Sequence, residues 1–400
     1  MKLQILKQAF FFSLLIFILS SCEEDFDTIT EYKDQTVVYA FLQQKDPWNE
    51  FTDTNWVVVN KAFLGEASVL DMANVADSVN YNNYDDISVT LQRIKSIDPK
   101  SATVDASVYN HEPITLHYTT HYKDSGAFAT DNNIVFYTTK ALMYHKDVNT
   151  NPRPDDDDPY YYRLTVKKPG KDSVYATTKM IRGIIEDRPL TFPVGNRFID
   201  MASSFPNYTF TVQFGSNIDA RIYDLKIRMY YYEKRTDGNI YLNYVDYQNP
   251  LVITRDKNPD RSIDMEIDIP PLAFYSSIAN QLYDTKDVVW RVPKLTLKDG
   301  LGESHALIFT LGSQETYVYN QVTMPSDGIV QEKPSYTNIT NGLGLFTSKW
   351  RFTRDRFELT GKTVDSLALG VATKNIKFQD YKVSVPFNDT ITSAEVIKLF

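Results

Sequence analysis

The chain has 400 residues, a net charge of −9, one cysteine and 14% aromatic residues, including 27 Tyr and 23 Phe. The acidic balance argues against nucleic-acid binding, which needs clusters of Lys and Arg. A single cysteine excludes an internal disulfide, and the aromatic content favours β-strands.

The N-terminus has the pattern of a secretion signal. Lys2 and Lys7 supply positive charge before an apolar run over 9–19. This run is shorter than the roughly 20 residues that span a bilayer. Residues 19–22 (LSSC) resemble the bacterial lipobox, in which small residues precede a cysteine that receives acyl chains such as palmitate. We therefore predict a signal peptide over 1–21 and lipidation of Cys22, which anchors the body to a membrane without crossing it.

Three acidic residues, 23–25, follow Cys22 directly. They resemble the export signal of Bacteroidota lipoproteins that reach the outer cell surface. We expect an acidic tether over 22–35 and a lipid-anchored, surface-facing location in the outer membrane. A merely solvated tether, with the body on the periplasmic face, remains the alternative.

Short strands separated by turns follow over 36–185, which predicts an N-terminal β-sandwich domain. A short helix is predicted at 67–76, and Pro169 with Gly170 marks the turn of a hairpin. The predicted strands are 36–42, 55–63, 87–94, 114–118, 134–138, 160–166 and 173–178.

A linker is predicted at 186–207, followed by a second β-rich domain with a few short helices over 208–400. Asp237 and Gly238 predict a hairpin, and apolar spacing predicts a helix at 270–284. The segments 315–324 and 363–372 remain open between helical and extended structure, and we expect the apolar tail to be docked. The predicted strands are 208–214, 221–233, 240–247, 288–297, 304–311 and 350–359.

Three segments together carry a family resemblance: 57–65 (VVVNKAFLG), the hairpin 162–178, and 334–346 with its NITNGLGLF ending. With the lipobox, they resemble uncharacterised Bacteroidota lipoproteins that are often encoded beside TonB-dependent outer-membrane receptors. The resemblance implies an Ig-like or transthyretin-like β-sandwich followed by a second β-rich domain. It implies no catalytic residues.

A search for reactive groups finds no nucleophile, P-loop or zinc-protease motif. His117 and His121 lie about 13 Å apart if both stand on one strand, too far to share a zinc ion unless the chain bends. Asp256, Asn258 and Asp260 have the oxygen spacing of a calcium loop but lack its glycine and bidentate glutamate. A second weak calcium candidate is the run of four aspartates at 155–158, and a solvated acidic loop is the default for both. We expect no cofactor.

Five sites match the pattern Asp, then Ser or Thr, then an aliphatic residue, which resembles the O-glycosylation sequon of exported Bacteroidota proteins. Only exposed loops can be modified. The hydroxyl residues are Thr28, Ser78, Ser173, Ser366 and Thr390.

These features favour a non-enzymatic lipoprotein that assists an outer-membrane receptor or transport system. The alternative is a surface module that binds a glycan or another ligand, with the tyrosines at 230–232 and 241–247 as candidate platforms. Strand geometry predicts that part of the 230–232 cluster is core. A hydrolase with paired carboxylates is the third hypothesis.

Overall fold

The computed structural model describes residues 35–43, 54–62, 79–81, 83–94, 113–121, 133–138, 142, 161–181, 186–188, 197–202, 207–216, 219–253, 264–295, 304–323 and 336–399. Within these residues the chain is mainly β and sandwich-like, with several sheets and four α-helices, which confirms the predicted fold class. The predicted signal peptide, most of the tether and the predicted helix at 67–76 lie outside the described residues.

Within the described residues, ten strands precede residue 200. They are β1 (Gln35–Leu42), β2 (Trp56–Ala62), β3 (Ser88–Ile94), β4 (Ile114–Thr115), β5 (His117–His121), β6 (Asn133–Tyr137), β7 (Tyr161–Lys167), β8 (Val174–Lys179), β9 (Glu186–Arg188) and β10 (Arg197–Ile199). The β7–β8 hairpin forms as predicted, with Pro169 and Gly170 in its turn.

The remaining strands are β11 (Phe210–Gly215), β12 (Ile222–Arg235), β13 (Ile240–Gln248), β14 (Val252–Ile253), β15 (Asp264–Ile269), β16 (Val288–Pro293), β17 (His305–Gly312), β18 (Gly342–Leu359) and β19 (Val396–Lys398). The helices are α1 (Pro271–Gln281), α2 (Gln314–Thr323), α3 (Gly361–Leu369) and α4 (Tyr381–Thr390). The helix predicted at 270–284 is confirmed, and both segments left open are helical. The tail is docked through β19, which pairs with β13.

One large sheet runs through both halves of the chain in the order β19-β13-β12-β17-β18-β1-β2-β6-β5. The long strand β18 joins the halves. Its first part pairs in parallel with β1, from Gly342 to Ser348, and its second part pairs antiparallel with β17. The two predicted domains therefore share a strand as well as a sheet.

The first core lies between β1, β2 and β6 of the large sheet and a second sheet of order β4-β3-β7-β8. Apolar side chains alternate along these strands, so each sheet turns one apolar face inward. Two members of this core, Ile339 and Phe346, come from the segment predicted as the second domain. The N-terminal sandwich is thus completed by residues from the far end of the chain.

The second core lies beneath β12, β17 and the second part of β18. It is covered by the small sheet β15-β11-β9 and by α1 and α3. Within the segment expected to be a linker, β9 pairs with β11 and β10 pairs with β18. The described parts of that segment therefore belong to the fold of the second half.

The strand predicted at 114–118 is divided. Leu116 donates its N–H to the carbonyl oxygen of Val89 at 2.9 Å, and the chain leaves one sheet for the other at this point. Ile114 and Thr115 pair with β3, whereas the residues from His117 onward pair with β6. An uninterrupted strand cannot serve both layers of a sandwich, so the single-strand prediction is wrong here.

Candidate functional site

The outer face of the large sheet carries exposed aromatic side chains in its N-terminal half. Strand β1 buries Val38 and Leu42, while Tyr39 and Phe41 between them are 37% and 39% exposed. Strand β2 begins with Trp56, which is 46% exposed. Because side chains alternate along a strand, these three rings point away from the first core.

The aromatic side chains continue across neighbouring strands. Trp56 pairs with Tyr137 of β6, and Tyr137 pairs with His117 of β5. The ring centroids of Trp56 and Tyr137 are 5.6 Å apart, and those of His117 and Tyr137 are 6.2 Å apart. Phe41, Trp56, Tyr137 and His117 are called the aromatic row below. Adjacent strands hold these rings side by side, with the Tyr137 ring tilted by 44° against Trp56 and by 46° against His117.

A groove of about 440 Å³ lies at one end of the aromatic row. Its walls combine aromatic, polar and cationic side chains, as is typical of sites for small polar ligands. The lining residues are Tyr39, Ala40, Phe41, Gln43, Thr54, Asn55, Trp56, Val58, Lys349 and Arg351.

Asn55 fixes the end of this groove. Its side-chain Oδ1 accepts from the Gln43 N–H at 2.6 Å, and its Nδ2 donates to the Gln43 carbonyl oxygen at 2.9 Å. The Asn55 N–H donates to Thr138 Oγ1 at 2.8 Å, and the Asn55 side chain is buried. These bonds tie β1, β2 and the end of β6 together, so the site is held by rigid elements before any ligand arrives.

Helix α2 covers the sheet beside the groove. The Tyr319 ring packs edge-on against Tyr39 with centroids 6.2 Å apart, and its hydroxyl donates to the Tyr39 oxygen at 3.5 Å. Burial, followed by the contact with Tyr319, raises the pKa of Tyr39 to about 12. Tyr39 therefore stays a neutral phenol across the physiological range and keeps a hydroxyl for hydrogen bonding.

Two cationic side chains, Lys349 and Arg351, enter the groove from β18. They are two residues apart on one strand and so share its outer face. Burial and the neighbouring Arg351 both lower the pKa of Lys349. Within the described residues, no carboxylate pairs with the Lys349 ammonium.

A second concave surface, of about 310 Å³, surrounds Glu233 in the other half. Both carboxylate oxygens of Glu233 already accept hydrogen bonds, one from Arg235 Nε at 2.6 Å and one from Arg291 Nε at 2.7 Å. Arg291 Nη1 also donates to the carbonyl oxygens of Leu282 and Ile376. These groups satisfy one another, and the cluster joins β12, β16 and the chain after α3 as a structural element.

The predicted tyrosine platforms in the second half are partly buried and partly half-exposed. Tyr231 and Tyr232 are each 1% exposed, which confirms that part of the 230–232 cluster is core. Tyr247 is also buried. Tyr244 packs against Tyr230 and lies beneath the Arg228 guanidinium, 3.8 Å from its ring centroid. The exposed aromatic surface lies instead on the N-terminal half of the same sheet.

The structure places some of the other predicted residues. Ser173 lies half-buried before β8, Ser366 is half-buried inside α3, and Thr390 is exposed at the last turn of α4. His117 is exposed and His305 is buried. No cluster of three or more metal-ligating side chains is found in the part of the chain that the structure describes. The following predicted residues and segments lie outside it: Cys22, Thr28, Ser78, Asp256, Asn258, Asp260 and 155–158.

Sequence reasoning missed the aromatic row because 36–42 and 55–63 are apolar on both faces, so periodicity alone did not show which side is outside. The alternation of Tyr39 and Phe41 with smaller apolar residues was the available signal. No described helix is long and apolar enough to cross a membrane. No family model matches the chain, and no curated protein matches it.

Proposed function

We propose that this chain is a non-enzymatic, lipid-anchored outer-membrane protein that binds a carbohydrate on the aromatic row. It presents the captured carbohydrate to an outer-membrane receptor or transport system. The observation that carries the proposal is the row of Phe41, Trp56, Tyr137 and His117, aligned across four strands on an exposed face.

A carbohydrate fits this surface better than an apolar molecule does. Sugar rings present a face of C–H groups that stacks on flat aromatic rings, and their hydroxyls need hydrogen-bonding groups at the rim. Thr54, Gln43 and the phenol of Tyr39 line the groove beside the aromatic rings and offer such groups. An apolar ligand gains most when a pocket encloses it, whereas the aromatic row lies open on a sheet face.

The lipobox at 19–22 and the acids at 23–25 support the location. A lipid at Cys22 holds the body within one tether length of the membrane, where a captured ligand can pass to a membrane-embedded receptor. Acyl chains contribute about 0.8 kcal/mol for each buried CH₂, so several chains hold such an anchor firmly.

The test is a glycan array probed with the mature chain made soluble by Cys22→Ser. We expect defined hits and a loss of binding of about tenfold or more for Trp56→Ala, because removal of an aromatic ring that stacks on a flat ligand, such as a nucleic-acid base, costs about 1–3 kcal/mol. Tyr283→Ala is the matched control, since Tyr283 is 79% exposed and lies outside the groove. An array without hits, or equal binding by Trp56→Ala and wild type, overturns the proposal.

A further inference from the structure

The groove beside the aromatic row is lined by two cations, Lys349 and Arg351, in addition to its aromatic rings. We infer that the carbohydrate is anionic, with an acid group held by these two cations while a sugar ring stacks on Trp56. The acid is a carboxylate or a sulfate ester, and the inference rests on the proposed function.

The geometry places both binding elements in one groove. Lys349 and Arg351 line it from β18, Phe41 lines it from β1 and Trp56 lines it from β2. The groove volume of about 440 Å³ accommodates a sugar ring together with an acid substituent. A single sugar unit can therefore contact the ring and the cations at the same time.

The electrostatics of Lys349 favour a bound anion. Burial removes water from its ammonium, and Arg351 adds a repulsive charge, so both lower its pKa. An acid group between the two side chains would offset both effects, and a hydrogen bond between charged groups is roughly twice as strong as a neutral one.

Two other cations on the same face of the sheet, Arg228 and Lys226, share one carboxylate. Arg228 donates twice to Asp246, at 2.8 and 2.9 Å, and the Lys226 ammonium lies 3.4 Å from the same carboxylate. The registers of β12, β17 and β18 put Lys226 on the face that carries Arg351. Within the described residues, Lys349 lacks such a carboxylate.

The net negative charge of the chain bears on how an acidic sugar could bind. At −9 the whole molecule repels a polyanion, so non-specific attraction does not explain binding of an acidic sugar. Any such binding reports on a local cationic site.

The experiment measures binding by tryptophan fluorescence and by calorimetry on the full mature chain carrying Cys22→Ser. The three probes are an oligogalacturonate with carboxylates, a sulfated dextran oligosaccharide and the neutral dextran oligosaccharide. The variants are Lys349→Met, Arg351→Met and Trp56→Ala, with Lys226→Met as the matched charge control on the same sheet face.

We expect one anionic probe to bind about tenfold more tightly than the neutral sugar, and Lys349→Met to remove that preference while Lys226→Met keeps it. The anion that binds identifies the acid as carboxylate or sulfate. Equal binding of neutral and anionic probes, lost in Trp56→Ala and unchanged in Lys349→Met, overturns the inference and leaves the proposed function standing. Anionic binding that Trp56→Ala does not weaken overturns both, as does the absence of binding to every probe.

Discussion

Replacing Gly344 with alanine tests how closely β18 is seated against β1. Gly344 has φ +113°, a backbone conformation that L side chains rarely adopt. A Cβ on Gly344 would lie 2.8 Å from the carbonyl carbon of Val38 and closer still to its oxygen. The obstacle is the backbone of the neighbouring strand, which cannot rotate away as a side chain can.

Two costs add at this position. The strained backbone costs about 1–3 kcal/mol. Relief of the contact requires β1 and β18 to separate locally, which loses two or three hydrogen bonds at about 1 kcal/mol each. We therefore expect Gly344→Ala to lower the free energy of unfolding by about 4 kcal/mol in total.

Gly238→Ala separates the two costs. Gly238 also has a positive φ, +89°, in the β12–β13 turn, but no atom lies within 4 Å of its ideal Cβ position. This control should lose only the backbone cost, about 1–3 kcal/mol. Urea denaturation followed by tryptophan fluorescence compares both variants with the parent. Equal destabilisation by the two substitutions would refute the argument that close strand approach requires Gly344.

Two further predictions concern a buried base and the anchor. Burial lowers the pKa of His305 to about 3, so the unfolded chain binds one more proton between this value and the ordinary histidine range. The contribution of His305 to the free energy of unfolding is complete above about pH 6.5 and falls by about 1.4 kcal/mol per pH unit below it. We therefore expect the free energy of unfolding of His305→Asn, measured by urea denaturation at pH 4–7, to fall less steeply with acid than that of the parent. Equal slopes contradict this. Cys22→Ser should release the protein from membranes in fractionation of its host and abolish crosslinked co-purification with an outer-membrane protein; continued retention rules out the lipid anchor.

Local signals predicted local structure well. The β7–β8 and β12–β13 hairpins follow from a turn between apolar runs, because the interacting residues are near neighbours in the sequence. The helix α1 follows from its apolar spacing and from Pro270 at the N-cap and Pro271 at the first helical position. In each of these elements the determining residues lie within a few positions of one another.

Local sequence patterns do not predict which distant strands pair with each other. The partner of Val38 in β18 is Gly344, roughly 300 positions away, and nothing in either segment identifies the other. The shared strand and the composition of the first core were therefore missed. The groove is lined by Trp56 and Lys349, which come from such distant segments. The groove therefore could not be predicted from the sequence.

The contribution of Ile339 and Phe346 to the first core has a consequence for biogenesis. A chain that is made N-terminus first delivers β1 to β8 long before β18 arrives. The first sandwich cannot close until nearly 350 residues have been made, and its edge at β1 stays open to wrong strand partners until then. We therefore expect a chaperone that shields this edge to raise the yield of folded protein.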